Sequence, residues 1–211
     1  FNKKRDLLIV VGGGTAGAFS AIAAAREGLK VAVVERGTCL GGLAASSGLT
    51  EMNAAGFQGA PLYRGIEREV FDRLIWGGHA AYHFAVPMSS NKEVKIDRLR
   101  YDPERLKLLL EQLAVEAGIT LLYETELTAA REGEEECQIT ARGPYQEIAL
   151  SGKYLIDATG NASLVQALGG ETEAADERER MIATLMFRIS NVDLDQLDAF
   201  AQILVDYNQK V

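Results

Sequence analysis

The stretch VVGGGTAGAFSAIAAAREGLKVAVVER, residues 10–36, decides the fold. An apolar run, residues 7–11, enters a cluster of glycines. An Ala-rich segment follows, and a second apolar run, residues 31–34, ends on Glu35. Short, wholly apolar runs read as strands buried on both faces of a parallel sheet. Residues 15–27 read as a helix ended by Gly28, because glycine enters the left-handed conformation of a helix end without penalty. Gly12, Gly14 and Gly17 fit G-x-G-x-x-G. The first allows the tight turn, the second lets backbone approach a pyrophosphate, and the third lets the helix pack on the strand. The first amides of the helix, with its positive dipole end, would then face the phosphates. Glu35 at the tip of the second strand would accept hydrogen bonds from a ribose diol, and its charge would repel a 2′-phosphate, which disfavours NADP. The cradle itself accommodates NAD or FAD; its bland alternative is a ligand-free turn with a surface glutamate.

The 211 residues are enough for one large domain, and 47% hydrophobic residues are enough for a proper core. A net charge of −8 argues against a nucleic-acid partner, which needs a basic face to displace counterions, and against an anionic membrane surface. No apolar run approaches the ~20 residues of a membrane span. The two cysteines, Cys39 and Cys137, form neither a disulfide framework nor a CxxC pair, which fits a cytoplasmic setting. The chain opens at Phe1, so a trimmed signal peptide stays open.

Further along, residues 38–59 are rich in Gly, Ala and Ser and read as backbone packed closely against a ligand. Residues 65–76 have the spacing of an amphipathic helix, stopped by Gly77-Gly78, and residues 79–95 read as loop or short strand. Asp102-Pro103 is an N-cap with proline at the first helical position; Leu106, Leu109, Leu110 and Leu113 follow at helical spacing, and Gly118 closes the helix. Residues 119–123 read as a buried strand, residues 126–150 as a small antiparallel meander with a solvated acidic tip at 132–136, and residues 153–157 as another buried strand. Asn161 is a candidate cap for a short helix through Leu168. ETEAADERER, residues 171–180, reads as a linker, residues 182–189 as a strand and residues 194–207 as a helix.

The stretches VGGGTAGAFSAIAAAREGLKVAVVERGTCLGG (11–42), YDPERLKLLLEQLAVEAGITLLYETEL (101–127) and LIDATGNASLVQALGG (155–170) carry a resemblance. The chain resembles the FAD-dependent oxidoreductases of the glutathione-reductase-like fold, and more closely the bacterial family called simply the FAD-dependent oxidoreductase family. The resemblance implies an α/β, Rossmann-like FAD-binding domain with a central parallel sheet and a small meander over residues 1–175. It implies a linker and the truncated start of a second, substrate domain over 176–211, and FAD as cofactor. It also implies that Gly12, Gly14, Thr15, Ala16 and Gly17 face the pyrophosphate, that Glu35 holds the adenosine ribose and that Arg36 lies beside the adenine. Gly41, Gly42, Leu43 and Ala44 would lie along the flavin side, Leu127 would meet the adenine through its backbone, and Ala158, Thr159 and Gly160 would close over the dinucleotide. Where relatives often carry Asp, this chain has Asn161. Nothing after Gly170 resembles the returning turn with which this fold normally ends, so the expectation is a fragment lacking its C-terminal half.

Other candidates have blander readings. His79 and His83, four apart, would share a metal only on a helix, which Gly77-Gly78 and Pro87 oppose; no metal site is expected. Cys39 reads as a structural small residue rather than a redox-active or flavin-attached one. Arg64, Arg68 and Arg73 read as a solvated helix face rather than a steering patch for an acidic substrate, and the aromatics around that helix as packing. The function expected is non-covalent FAD binding with transfer of a hydride or electron pair between flavin and a small-molecule substrate. A homo-oligomer is compatible with this, and no residue is assigned a catalytic role. The alternatives are a non-catalytic flavin- or nucleotide-binding module of a larger redox assembly, and an NAD-binding dehydrogenase domain.

Overall fold

Residues 7–11 are apolar at every position because each side of that strand is covered by a different core. A computed structural model describes residues 7–57, 60–87, 93–176, 178–180, 183–196 and 199. In chain order its elements are β1 (Leu7–Val11), α1 (Thr15–Arg26), β2 (Lys30–Val34), α2 (Leu43–Ser46), β3 (Glu51–Phe57), β4 (Ala60–Pro61), α3 (Gly65–Trp76), β5 (Ala80–Pro87) and β6 (Lys95–Tyr101). After these come α4 (Pro103–Glu116), β7 (Thr120–Leu122), β8 (Glu126–Arg131), β9 (Cys137–Arg142), β10 (Glu147–Gly152), β11 (Tyr154–Asp157) and α5 (Ser163–Ala167).

A four-stranded sheet, in the order β11-β1-β2-β7, is parallel throughout. Successive side chains of β1 alternate between its two faces. Leu8 and Val10 join Ile22, Val33, Leu110 and Leu113 in the larger core, while Ile9 and Val11 join Ile139, Ala141 and Leu164 in the smaller one. The meander β10-β9-β8 and α5 therefore cover one face, as the expected α/β architecture requires, and α1 and α4 the other. Helix α1 buries Gly17, Ala18, Ala21 and Ile22, small residues that let it lie close to the sheet. Its end is closed by the amides of Glu27, Gly28 and Leu29, with Gly28 at φ +89°. Helix α4 starts as its sequence dictates: the Asp102 carboxylate accepts from the Glu104 amide at 2.9 Å, and Pro103 occupies the first turn.

A second sheet, antiparallel in the order β4-β3-β6-β5, was not visible in the sequence. Residues 51–57, within the small-residue stretch 38–59, form a strand that was not anticipated, and residues 80–87 form an eight-residue strand rather than a loop or short strand. The reason is register. The β3–β6 ladder shifts between Met52 and Gly56, and the β5–β6 ladder between His83 and Val86. A bulge inverts the inward and outward alternation, so neither segment keeps one period of two along its length. At the second bulge Ala85 sits at φ +52°, and its amide donates to the buried carboxylate of Asp97 at 2.8 Å. Helix α3 closes over this sheet with Val70, Phe71 and Leu74, which share the larger core with Leu99 and Tyr101.

Two further expectations need correction, and a third falls mostly outside the described residues. Asn161 does not cap α5: the cap position is Ala162, at φ +58°, and the helix amides are taken by other side chains described below. Residues 183–190 belong to no strand, and Ile182 lies outside the described residues. Of the expected helix 194–207, residues 194–196 form a 3-10 turn and Ala199 is helical; the others lie outside the described residues.

Phe71 is 1% exposed, with ring centroids 4.8 Å from Tyr63 and 6.2 Å from Tyr101. Phe71→Ala is expected to cost about 3–5 kcal/mol of stability through the cavity it leaves. Leu108→Ala, at a position 60% exposed, is expected to change it by less than about 0.5 kcal/mol. Denaturant unfolding of the two variants checks both values.

Candidate cofactor site

The first turn after β1 is shaped by what it has no room for. Gly12 has φ +97°, and a Cβ on it would lie 2.4 Å from the Ala158 carbonyl oxygen. A Cβ on Gly17 would lie 1.8 Å from the Gly12 carbonyl oxygen. These two glycines let strand, helix and the turn after β11 meet. Gly14 differs: nothing lies within 4 Å of a Cβ placed there, so its outer side is open. It is also the N-cap of α1 and offers no side chain to the helix amides. The mouth of a twelve-residue helix thus presents free N–H groups to open space, the arrangement that binds phosphate.

Two other small-residue turns close on the same point. The Gly41 amide donates to the Gly13 carbonyl at 2.8 Å, and the Thr15 hydroxyl to the Gly41 carbonyl at 3.2 Å. Gly42, at φ +53°, would push a Cβ to 2.9 Å from the Gly14 Cα. Helix α2 follows with Leu43 exposed and Ala44 partly buried, its carbonyl accepting from the Tyr101 hydroxyl at 2.8 Å. On the other side the Ala158 amide donates to the Val11 carbonyl at 2.8 Å. Gly160, at φ +81°, stands exposed with nothing within 4 Å of a Cβ.

Glu35 points into this assembly. One carboxylate oxygen accepts from the Gly13 amide at 2.6 Å and the other from the Gly37 amide at 2.5 Å. A carboxylate has about four acceptor positions, so two remain for a ribose diol. The backbone around Glu35 is held by the following strand: its amide donates to the Leu122 carbonyl, and its carbonyl accepts from the Thr125 amide. Beside it opens a cleft of about 550 Å³ lined by Arg36, Gly37, Thr38, Glu124, Glu126, Arg142 and Gly143. Arg142 pairs with Glu126 at 2.9 Å. Leu127 follows Glu126 in β8, opposite Ala141, and so stands next to the cleft without lining it.

The structure therefore brings Gly12, Gly14, Thr15, Gly17, Gly41, Gly42, Ala158 and Thr159 together at the start of α1 with Glu35 beside them; Ala16 lies in the first turn of α1, Arg36 lines the cleft, and Gly160 follows Thr159 on the exposed side of its turn. It adds residues that sequence reading missed. Glu126, Arg142 and Gly143 reach the cleft through the register of the meander, and Glu124 through its amide on the Gly37 carbonyl at 2.9 Å, neither of which a local pattern encodes.

The weaker candidates go elsewhere. Burial raises the Cys39 thiol above its ordinary value against the opposing charge of Lys107, with Glu35, Glu104 and Glu111 adding to the rise, so the protonated thiol is favoured. Arg68 pairs with Asp72 at 2.6 Å, Arg73 with Glu69 at 2.7 Å, and Arg64 donates to the carbonyls of Pro61 and Tyr63. His79 lies in the loop after α3 and His83 on β5 opposite Arg98, so the two do not share a helix face. Among the described residues no group of three His, Cys, Asp or Glu side chains could hold a metal ion, and no helix is long and apolar enough to cross a membrane.

The family model described as FAD dependent oxidoreductase matches residues 8–211. No curated protein matches the chain. Solved structures share the fold. A Diels-Alderase of pyrroindomycin biosynthesis matches at 24% identity and a TM-score of 0.52, covering 76% of this chain and 34% of that one. p-Nitrophenol 4-monooxygenase from Pseudomonas putida DLL-E4 matches at 14% identity and a TM-score of 0.56, covering 79% and 45%. A flavoprotein/dehydrogenase from Cytophaga hutchinsonii matches at 15% identity and a TM-score of 0.56, covering 82% and 44%. The chain thus spans a third to somewhat under half of the length of each.

Glu35→Ala is expected to weaken FAD binding by roughly 1.5–3 kcal/mol, the loss of hydrogen bonds to a charged acceptor. It also lowers the apo-protein Tm, since the Gly13 and Gly37 amides lose their partner. Fluorescence titration of FAD reads the first effect and a thermal melt the second; an unchanged affinity removes the ribose role from Glu35.

Proposed function

Because the chain belongs to the FAD-dependent oxidoreductase family, with FAD as its cofactor, we propose that the three converging turns and Glu35 hold that FAD non-covalently. In this reading the protein transfers a hydride or electron pair between the flavin and a small-molecule substrate. The observation that carries the reading is the meeting of three Gly-containing turns at the unobstructed mouth of α1, beside a carboxylate. The residues fit the group: Gly12, Gly17 and Gly42 remove side-chain volume where backbones must touch, and Gly14 leaves open space where a pyrophosphate needs it.

Each part has a separate task. The α1 mouth, with Gly12, Gly14, Thr15, Ala16 and Gly17, receives the pyrophosphate. Glu35 takes the adenosine ribose hydroxyls. Arg36 and the Leu127 backbone bound the adenine at the cleft, whose charged walls orient a polar base edge. Gly41, Gly42, Leu43 and Ala44 lie along the flavin side, and Ala158, Thr159 and Gly160 close over the dinucleotide. When bound, the isoalloxazine supplies the two-electron chemistry; the protein supplies binding, orientation and electrostatics. With its thiol protonated, Cys39 serves packing rather than attachment. Residues 1–175 form the FAD-binding domain and residues 176–211 a linker and the opening of a substrate domain.

The test is a visible absorbance scan of the purified full-length protein, followed by anaerobic addition of candidate reductants. Flavin bands that are released by denaturation and bleached by a reductant are expected. A protein that carries no flavin and takes up none from added FAD overturns the reading, and a bound flavin that no reductant bleaches reduces it to passive binding.

A further inference from the structure

We propose that Asp157, which does not face the cofactor, is the positioning residue that sets the closing turn 158–160 against the dinucleotide; this rests on the reading of that turn given above. Asp157 ends β11 between β1 and the start of α5, and both of its oxygens are engaged. Oδ1 accepts from the Thr159 amide at 2.9 Å and from the Thr159 hydroxyl at 2.6 Å. Oδ2 accepts from the Val165 amide at 3.0 Å, one turn into α5. The Thr159 oxygen in turn accepts from the Ser163 amide at 2.9 Å. One carboxylate thereby fixes both ends of the segment 159–165 and takes over the capping task that Asn161 does not perform.

Two consequences follow for the closing surface. The Thr159 side chain is turned inward and spent on Asp157 and Ser163, so the turn meets its ligand through the backbone of Ala158, Thr159 and Gly160. The turn is also anchored at its start: the Ala158 amide is held on the Val11 carbonyl at 2.8 Å, and Thr159 is held by Asp157. The carboxyl is kept below its ordinary range: burial raises it, and the hydrogen bonds from Thr159, Val165 and Leu164 outweigh that burial. The charged form is thus the one the turn requires. Asparagine has nearly the same shape but presents an NH2 group, which cannot accept. One side of the network, Thr159 or Val165, then faces a donor with a donor.

The experiment measures the rate of FAD release from the full-length holoprotein by recovery of free flavin fluorescence, with the apo-protein Tm as structural control. Asp157→Asn is expected to speed release roughly tenfold or more. Thr159→Val, which removes the hydroxyl that links Asp157 to the Ser163 amide but leaves Asp157 on the Thr159 and Val165 amides, serves as the second variant should Asp157→Asn fail to fold, and is expected to act in the same direction. Gly160→Val, which puts a side chain on the open side of the turn, probes the turn itself. Faster release in Asp157→Asn or Thr159→Val that exceeds what their Tm change accounts for supports the proposal. Wild-type release in both, with faster release in Gly160→Val, overturns the role of Asp157 while leaving the turn against the cofactor. Wild-type release in all three overturns the turn's placement and the proposal with it.

Discussion

The Glu35 carboxylate, with one oxygen on the Gly13 amide and the other on the Gly37 amide, is the interaction on which the site depends. The first glycine lies in the turn that leaves β1, the second in the turn that leaves β2. Adjacent parallel strands diverge at their carboxyl ends, and something must hold the two departing loops at a fixed separation. A charged acceptor with two oxygens does this with bonds roughly twice as strong as neutral ones. In the proposed function the same group takes the ribose hydroxyls, so one residue would both recognise the sugar and set the width of the cradle for the phosphates.

Space is the second determinant. At Gly12, Gly17 and Gly42 a single added carbon would sit within 3 Å of backbone, where little can yield. At Gly14 and Gly160 the same carbon would meet nothing. The two groups of glycines do different things. The first lets three chain segments touch, and the second leaves open space beside them.

Much of this was legible in the sequence, and the pattern of success has a physical cause. The parallel strands announce themselves because burial on both faces demands unbroken apolar runs. Helix α4 does so because Asp102, Pro103 and the leucine spacing agree. The cradle is local, written in glycines close together in the chain. The antiparallel sheet was hidden because two bulges break its alternation and because alanine and glycine carry little hydrophobic signal. Asn161 misled because it has a good capping chemistry in roughly the right place, while the helix amides were already taken by Asp157 and Thr159. The charged cleft was hidden because its walls come from β8, β9, the turn before β8 and the turn after β2, which strand pairing and the Glu124–Gly37 backbone bond bring together.

The Tyr101 hydroxyl bonded to the Ala44 carbonyl gives the hidden sheet a mechanical meaning. Tyr101 is the last residue of β6, and its ring is wedged against Phe71 in the core. One hydrogen bond from a buried ring thus ties the end of β6 to the short helix flanking the cradle. The position of α2 beside the cradle therefore depends on the antiparallel sheet as well as on the parallel one.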